Sequence, residues 1–281
     1  QPPGWRGLCS NRNRLPLERF SLKNYPLQSR KLGKLDPRHD PRTFRMSAPL
    51  ARVLPVIPPA ANWARNVSWP MWCNDRYGCC TQVSVASAIR TWTGAAQAPI
   101  LLTDDQVLRN YSAVTTPALD PEQPSTDRGA VELDVLNHWT RHGLAMPGSQ
   151  PGRSYLTAYG AIDPRNRQSV QRAIAFLGGI YIGLSLPEWC CSTDDDWTYD
   201  PTRDNSIAGG HAVWLHGYDA DWLYLNTWGQ QRRVSWKFLA QFCDEAYGLV
   251  SRQHWADVHG VSPNGEALDA LVAEMRGVSN A

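Results

Sequence analysis

The spacing of hydrophobic and polar positions changes character along the chain. Val85, Ile89 and Trp92 recur at helical spacing in the run that begins at Cys80, and Gly94 closes it. That spacing predicts a buried helix with Cys80 in its first turn. Leu102 to Leu108, with Thr103 ahead of Asp104 and Asp105, predicts a short capped helix. Val131 to Trp139 predicts a helix ending near Gly143, and Ser169 to Leu177 another ending at Gly178-Gly179. The next seven residues, Ile180 to Leu186, are a nearly continuous apolar run and predict a buried strand. Residues 211–216 and 222–228 are rich in strand formers, with Gly217 and Asp219 near the bend, and predict a hairpin. A turn centred between Tyr218 and Asp219 would place His211 opposite Asn226, with Cβ atoms about 4.5–5.5 Å apart. Ser262 to Met275 predicts an amphipathic helix with Leu268, Leu271, Val272 and Met275 on one face.

The first 60 residues show no such period. They hold ten of the 21 prolines, and twelve Lys or Arg against Glu18, Asp36 and Asp40, a net of +9. Residues 61–281 hold sixteen Lys or Arg against 23 acids, a net of −7. A formal charge of +2 therefore conceals a basic arm and an acidic body. The arm has too little apolar surface to form a core of its own. Residues 1–49 are expected to run extended over the body, 50–261 to form the main domain, and 262–281 the terminal helix. A docking arm for a protein partner in a larger assembly, a propeptide and a nucleic-acid-binding segment all fit the composition. Nucleic acid is disfavoured, because only Trp5, Phe20, Tyr25 and Phe44 offer stacking rings. Leu15, Phe20, Tyr25 and Leu32 are the expected apolar anchors. No run of eighteen apolar residues exists, so no transmembrane helix is predicted.

Chemistry concentrates in two segments. Asn74-Asp75-Arg76-Tyr77-Gly78-Cys79-Cys80 leads into the first helix, and Gly209-Gly210-His211-Ala212-Val213 precedes Asn226-Thr227-Trp228-Gly229. A helix N-terminus and a nearby imidazolium lower a thiol pKa, so Cys80 is the candidate nucleophile and His211 its base. Asn226 would orient the ring, and Trp228, on the same strand face, would shield that contact from water. The Cys80 N–H and the Asn74 amide would form an oxyanion hole. No metal or other cofactor is expected: no C-x-x-C pairs with an H-x-x-x-H spacing. Asp194, Asp195, Asp196 and Asp200 lack the spacing of a calcium loop and are expected to be a solvated acidic loop. With Cys80 set aside, six cysteines remain, and no specific disulfide is predicted.

These segments resemble papain-like cysteine peptidases. His211 and Asn226 lie 131 and 146 residues after Cys80, inside the family's window of about 130–150. Asn74 precedes Cys80 by six residues, where the family has Gln, and Pro70 precedes Asn74 by four. Asn62-Trp63-Ala64-Arg65, His211-Ala212-Val213 with Gly217-Tyr218, and Asn226-Thr227-Trp228-Gly229 are similar to further family signatures. The likeness spans roughly residues 50–230 and is greatest to divergent papain-like proteins of tailed phages, through the Asn74–Cys80 box and Cys243-Asp244-Glu245-Ala246-Tyr247. It implies an α+β, two-lobed fold and a thiol peptidase acting on peptide or protein substrates through Cys80, His211 and Asn226. A substrate pocket at Gly183, Leu184 and Gly210 and a location in the virion or host cytoplasm are also implied. The alternative is a structural virion protein that keeps the fold with an unused site. Two departures stand out: Asn74 is one methylene shorter than Gln, and Cys79 places a second thiol beside the nucleophile.

Overall fold

Helices are the main regular elements of the first half of the described chain, and strands of an antiparallel sheet are those of the second. The computed structural model describes residues 30–53, 56–65, 67–147, 152–255 and 268–279. Its helices are α1 (Ser47–Val53), α2 (Cys80–Ala95), α3 (Asp104–Ser112), α4 (Glu132–Arg141), α5 (Arg167–Leu177), α6 (Glu188–Ser192), α7 (Trp236–Phe242) and α8 (Leu268–Ser279). Its strands are β1 (Ala61–Asn62), β2 (Leu144–Ala145), β3 (Arg153–Ser154), β4 (Ala158–Ala161), β5 (Ile180–Pro187), β6 (Ile207–Tyr218), β7 (Trp222–Thr227), β8 (Gln230–Ser235) and β9 (Cys243–Val250). The main sheet runs β4-β9-β5-β6-β7-β8, with β1 added to β6, while β2 and β3 pair separately.

α2 lies deep in the molecule, and its polar residues explain how it can. Ser84, Ser87, Thr91 and Thr93 each donate a hydroxyl to the carbonyl four residues back, at 2.7–2.9 Å. A hydroxyl satisfied within its own helix can be buried without a further partner. Trp92, on the same helix, donates its indole N–H to Leu177 O at 2.8 Å and meets Trp214 edge-on at 5.4 Å. Gly178 ends α5 in the left-handed conformation, with φ +78°, where a Cβ would come within 2.7 Å of the Trp92 and Trp255 rings. Glycine is needed there twice over, for the cap and for the close approach. α3 starts with a full capping box between Thr103 and Gln106.

The hairpin differs from the expected register. Its turn lies at 219–221, fastened by the Asp219 carboxylate, which accepts from the Asp221 and Trp222 amides. A bulge follows at Leu215/Gly217. Together they slide the strands so that Asn226 faces Trp214, not His211. β7 therefore pairs with β6 only from Trp214 onward, and the β6 edge near Ala212 is open. The N-terminus of α2 fills that gap.

Only residues 30–49 of the expected arm are described, and of these Lys31, Leu35 and Asp36 to His39 are exposed. Residues 30–35, the strap, lie against the body with the Arg30 and Lys34 side chains buried and Lys31 and Leu35 exposed. Farther on, Met46 and Leu50 are fully buried, and Arg45 bridges Ala161. The anchors Leu15, Phe20 and Tyr25 lie outside the described residues, whereas Leu32 packs against the core. In α8, Leu268, Leu271, Val272 and Met275 are buried. No helix among the described residues is long and apolar enough to cross a membrane.

Candidate active site

Cys80 opens α2 and is 1% exposed. As the first helical residue it has an N–H that the helix itself does not use. The loop before it is fixed from beneath. Asp127 accepts the Gly78 amide at 2.8 Å and the Tyr111 hydroxyl at 2.7 Å, and that hydroxyl accepts the Gly129 amide. Asp127 carried no signal in the sequence, because its loop reads only as Pro- and Asp-rich. The Cys80 thiol accepts from the Ala212 amide at 3.5 Å, across the open edge of β6. Burial raises its pKa to about 11, against the pull of the Ala212 and Gly33 amides. Burial thus outweighs the helix dipole in this state.

His211 follows Gly209 and Gly210 on β6. Its Nε2 lies 2.7 Å from the Thr227 hydroxyl, and its Nδ1 has no hydrogen-bond partner among the described residues. The ring stacks on Trp228 with centroids 4.5 Å apart and planes 18° apart. Trp228 is thus on the ring itself. Its own backbone sits at φ 47°, uncommon for a bulky residue. Burial, then the nearby Arg30 charge, lowers the His211 pKa to about 3. Thiol and imidazole are therefore both neutral.

Asn226 is not the partner of His211. The register shift turns its amide toward α2, where Nδ2 donates to Ser87 Oγ at 2.7 Å. Thr227, one residue on, makes the His211 contact that the sequence had given to Asn226. Nothing in the spacing alone separates the two, since a one-residue change reverses the face of a strand.

Asn74 is buried and donates Nδ2 to Lys31 O at 3.2 Å and to Tyr77 O at 3.0 Å. The Trp228 indole N–H reaches the same Lys31 oxygen at 3.3 Å. A strap carbonyl therefore rests against the donor expected to hold an oxyanion. The remaining strap residues run extended past the thiol. The Gly33 and Lys34 amides donate to Gly210 O, the Ala130 amide donates to Gly33 O, and the Leu35 amide donates to Ala130 O, at 2.9–3.2 Å. Gly183 and Gly210 flank this segment. At Gly210 a Cβ would lie 2.2 Å from Lys34 O, and at Gly183 one would lie 2.0 Å from Lys34 Cε. Leu184, expected beside them in a pocket, is wholly buried and paired with His211 in the sheet.

Cys79 is also buried, and its thiol contacts Trp72 O at 3.5 Å. Burial pushes its pKa well up, and Cys80 adds to that. Cys79 and Cys80 are both free thiols, whereas Cys73 is disulfide-bonded, a bridge the sequence did not indicate. In the acidic loop, Asp194 pairs with Arg30 and Arg232, and Asp196 with Arg233. These carboxylates are committed to arginines, and no trio of His, Cys, Asp or Glu among the described residues is placed to hold a metal ion.

Solved structures share this arrangement of elements. Xylellain, a cysteine protease from Xylella fastidiosa, superposes with a TM-score of 0.60 over 79% of this chain and 97% of its own, at 17% identity. The fold is papain-like. Digestive procathepsin L2 from Tenebrio molitor matches with a TM-score of 0.58 over 80% of this chain and 79% of its own, at 14% identity. Procathepsin B S9 from Trypanosoma congolense matches at 0.52 over 79% and 87%, at 11% identity. No family model and no curated protein matches the sequence itself. In this papain-like fold, Cys80 on α2 and His211 on β6 lie at the α2–β6 junction.

Proposed function

We propose that the chain is a thiol peptidase held in a latent form by its own strap. The observation that carries this reading is the extended backbone of residues 31–35, hydrogen-bonded along a cleft whose floor is Cys80. An extended peptide that pairs with open backbone edges is how a substrate would be held. Here the chain supplies that peptide itself. Two of the structural neighbours described above are pro-forms by their own names, in keeping with an inhibitory segment upstream.

In the open enzyme, Cys80 Sγ attacks the scissile carbonyl as its proton passes to His211 Nδ1, the ring nitrogen left without a partner. Thr227 Oγ1 accepts from Nε2–H and so holds the tautomer that leaves Nδ1 basic. Asn74 Nδ2 and the Cys80 N–H stabilise the oxyanion. The imidazolium returns its proton to the leaving amine as the C–N bond breaks, and water then hydrolyses the thioester with His211 again as base. Asn226 braces α2 through Ser87, and Trp228 keeps water from the His211–Thr227 contact.

A second reading is a structural protein with an unused site. It is favoured by the neutral Cys80 and His211. Labelling with a peptidyl vinyl sulfone or epoxide separates the two. A latent enzyme labels at Cys80 once the strap is displaced, by Gly33→Ala for instance, whereas an unused site stays unlabelled in the displaced form. The motif likeness to tailed-phage proteins adds the proposal that the chain belongs to a phage particle, which mass spectrometry of purified virions tests.

A further inference from the structure

Below the strap, one ammonium meets two carboxylates, and a third acid is buried nearby. Lys34 Nζ lies 3.0 Å from Asp244 Oδ1, 3.2 Å from Glu245 Oε1 and 3.2 Å from Leu35 O. The contact to Glu245 is an ion pair without hydrogen-bond geometry, since that oxygen has no hydrogen-bond partner. The Lys34 side chain is 1% exposed. Glu132, at the start of α4, is completely buried, and neither of its oxygens has a hydrogen-bond partner. Burial, the largest single effect on Lys34, favours its neutral form, but Glu132, Glu245 and Asp244 together raise its pKa above the ordinary value. Burial and the neighbouring Glu245 push the Glu132 pKa well up, against the pull of Lys34. An ammonium taken out of water needs acids paired with it, and the ion pairs to Asp244 and Glu245 supply them for Lys34.

The pocket belongs to the body and only its occupant belongs to the strap. β9 supplies Asp244 and Glu245, and the Tyr247 hydroxyl fixes Glu245 by donating to Oε2 at 2.9 Å. β5 supplies the opening, because Gly183 has no side chain where Lys34 Cε passes. Around Lys34 the backbone forms an antiparallel bridge to Gly210 and a parallel bridge to Ala130. A peptide laid along the same two edges would send one side chain down the same opening.

Resting on the peptidase reading above, we infer that Glu132, Asp244, Glu245 and Gly183 form the main specificity pocket, which takes a lysine or arginine side chain of an extended peptide substrate. Lys34 fills it in the latent protein as an internal stand-in for that side chain.

The first test needs no turnover. Iodoacetamide alkylation of Cys80 is compared in full-length wild type, Lys34→Arg and Lys34→Met. Removing the cation leaves the carboxylates unpaired beneath the strap, so Lys34→Met should alkylate about a hundredfold faster, whereas Lys34→Arg should stay near wild type. Adding Glu132→Gln and Glu245→Gln to Lys34→Met should restore slow alkylation. Equal rates in wild type and Lys34→Met would overturn the pocket. The second test scans peptide substrates with the full-length Gly33→Ala protein. One position should prefer Lys or Arg over Leu by about a hundredfold in kcat/KM, and Glu245→Gln should abolish most of that preference. Preference for apolar side chains at every position overturns the proposal. The alkylation contrast without turnover of any peptide would support the cation pocket and reject the peptidase reading, so the two failures are distinct.

Discussion

Gly33→Ala tests whether the strap keeps the thiol inert. A Cβ at Gly33 would lie 1.9 Å from Gly78 O and 2.4 Å from Gly78 C. Both are backbone atoms of the loop that sets Cys80, so no rotamer change relieves the clash and the strap must lift. Lifting gives up the backbone hydrogen bonds to Gly210 and Ala130, each worth about 0.5–1.5 kcal/mol net. It also admits water to the thiol. A pKa of about 11 leaves about one thiol in a thousand ionised at pH 8, whereas an ordinary value of about 8.5 leaves about one in four. Alkylation of Cys80 should therefore quicken about two-hundredfold from ionisation alone, with improved access adding to it. The assay is the pseudo-first-order rate of iodoacetamide modification at pH 8, mapped by mass spectrometry, with Cys80→Ser as the blank. A rate within about threefold of wild type, at an unchanged melting temperature, would refute the reasoning. So would equal labelling of Cys79, Cys190 and Cys243, which would mean that the core had opened and not the cleft.

Three further outcomes follow from the same geometry. In the Gly33→Ala background, Cys80→Ala should abolish vinyl-sulfone labelling and Cys79→Ala should spare it; labelling at Cys79 in the former would reassign the nucleophile. Thr227→Val removes the partner of His211 Nε2 and should lower kcat about ten- to a hundredfold, while Asn226→Ala should instead cost about 1–3 kcal/mol in urea unfolding by orphaning the buried Ser87 contact. His216 stacks on Trp69, neither of its ring nitrogens has a hydrogen-bond partner among the described residues, and burial lowers its pKa to about 3. Its contribution to stability is therefore present above the unfolded value of about 6.5 and is lost as pH falls toward the folded value. His216→Phe should flatten the fall in unfolding free energy over that window by about 1.4 kcal/mol per pH unit, and an unchanged slope would mean that His216 is already protonated in the folded state.

Much of this molecule was legible because its elements advertise themselves locally. The run from Cys80 to Ala95 carries its helical period, its closing glycine and its reactive residue in a single segment, and the capping residues of α3 stand in plain sequence. The hairpin was legible as a hairpin but not in register. The Asp219 turn and the bulge at Leu215/Gly217 each shift the pairing without altering the strand pattern, and those small shifts pass the His211 contact from Asn226 to Thr227. The strap was illegible for a different reason. Residues 30–35 have no period, and basic, Pro-flanked sequence normally marks a solvated arm. What folds it inward is complementarity to distant groups: two carboxylates paired with Lys34, two glycines that clear its path, and the open edges at Gly210 and Ala130. None of these is local in sequence.

On the peptidase reading, the same complementarity explains how the site would be latent without losing its geometry. At the N-terminus of α2 the helix dipole favours a thiolate, and an imidazolium at His211 would favour it further. Both charges require water or each other, and the strap denies them water. With the cleft closed, burial raises Cys80 and lowers His211 until the pair is neutral, yet Thr227 still holds the ring and Asp127 still holds the Gly78 loop. On the peptidase reading, the frame and the charges of the site are set by different parts of the chain, the frame by the body and the charges by whether the strap is seated. Lys34 links the two, because the pocket that would read a substrate's basic side chain is the pocket that seats the strap. A substrate of that kind competes with Lys34 for the same carboxylates, so the strength of latency and the strength of substrate preference should change together across variants of Glu132 and Glu245.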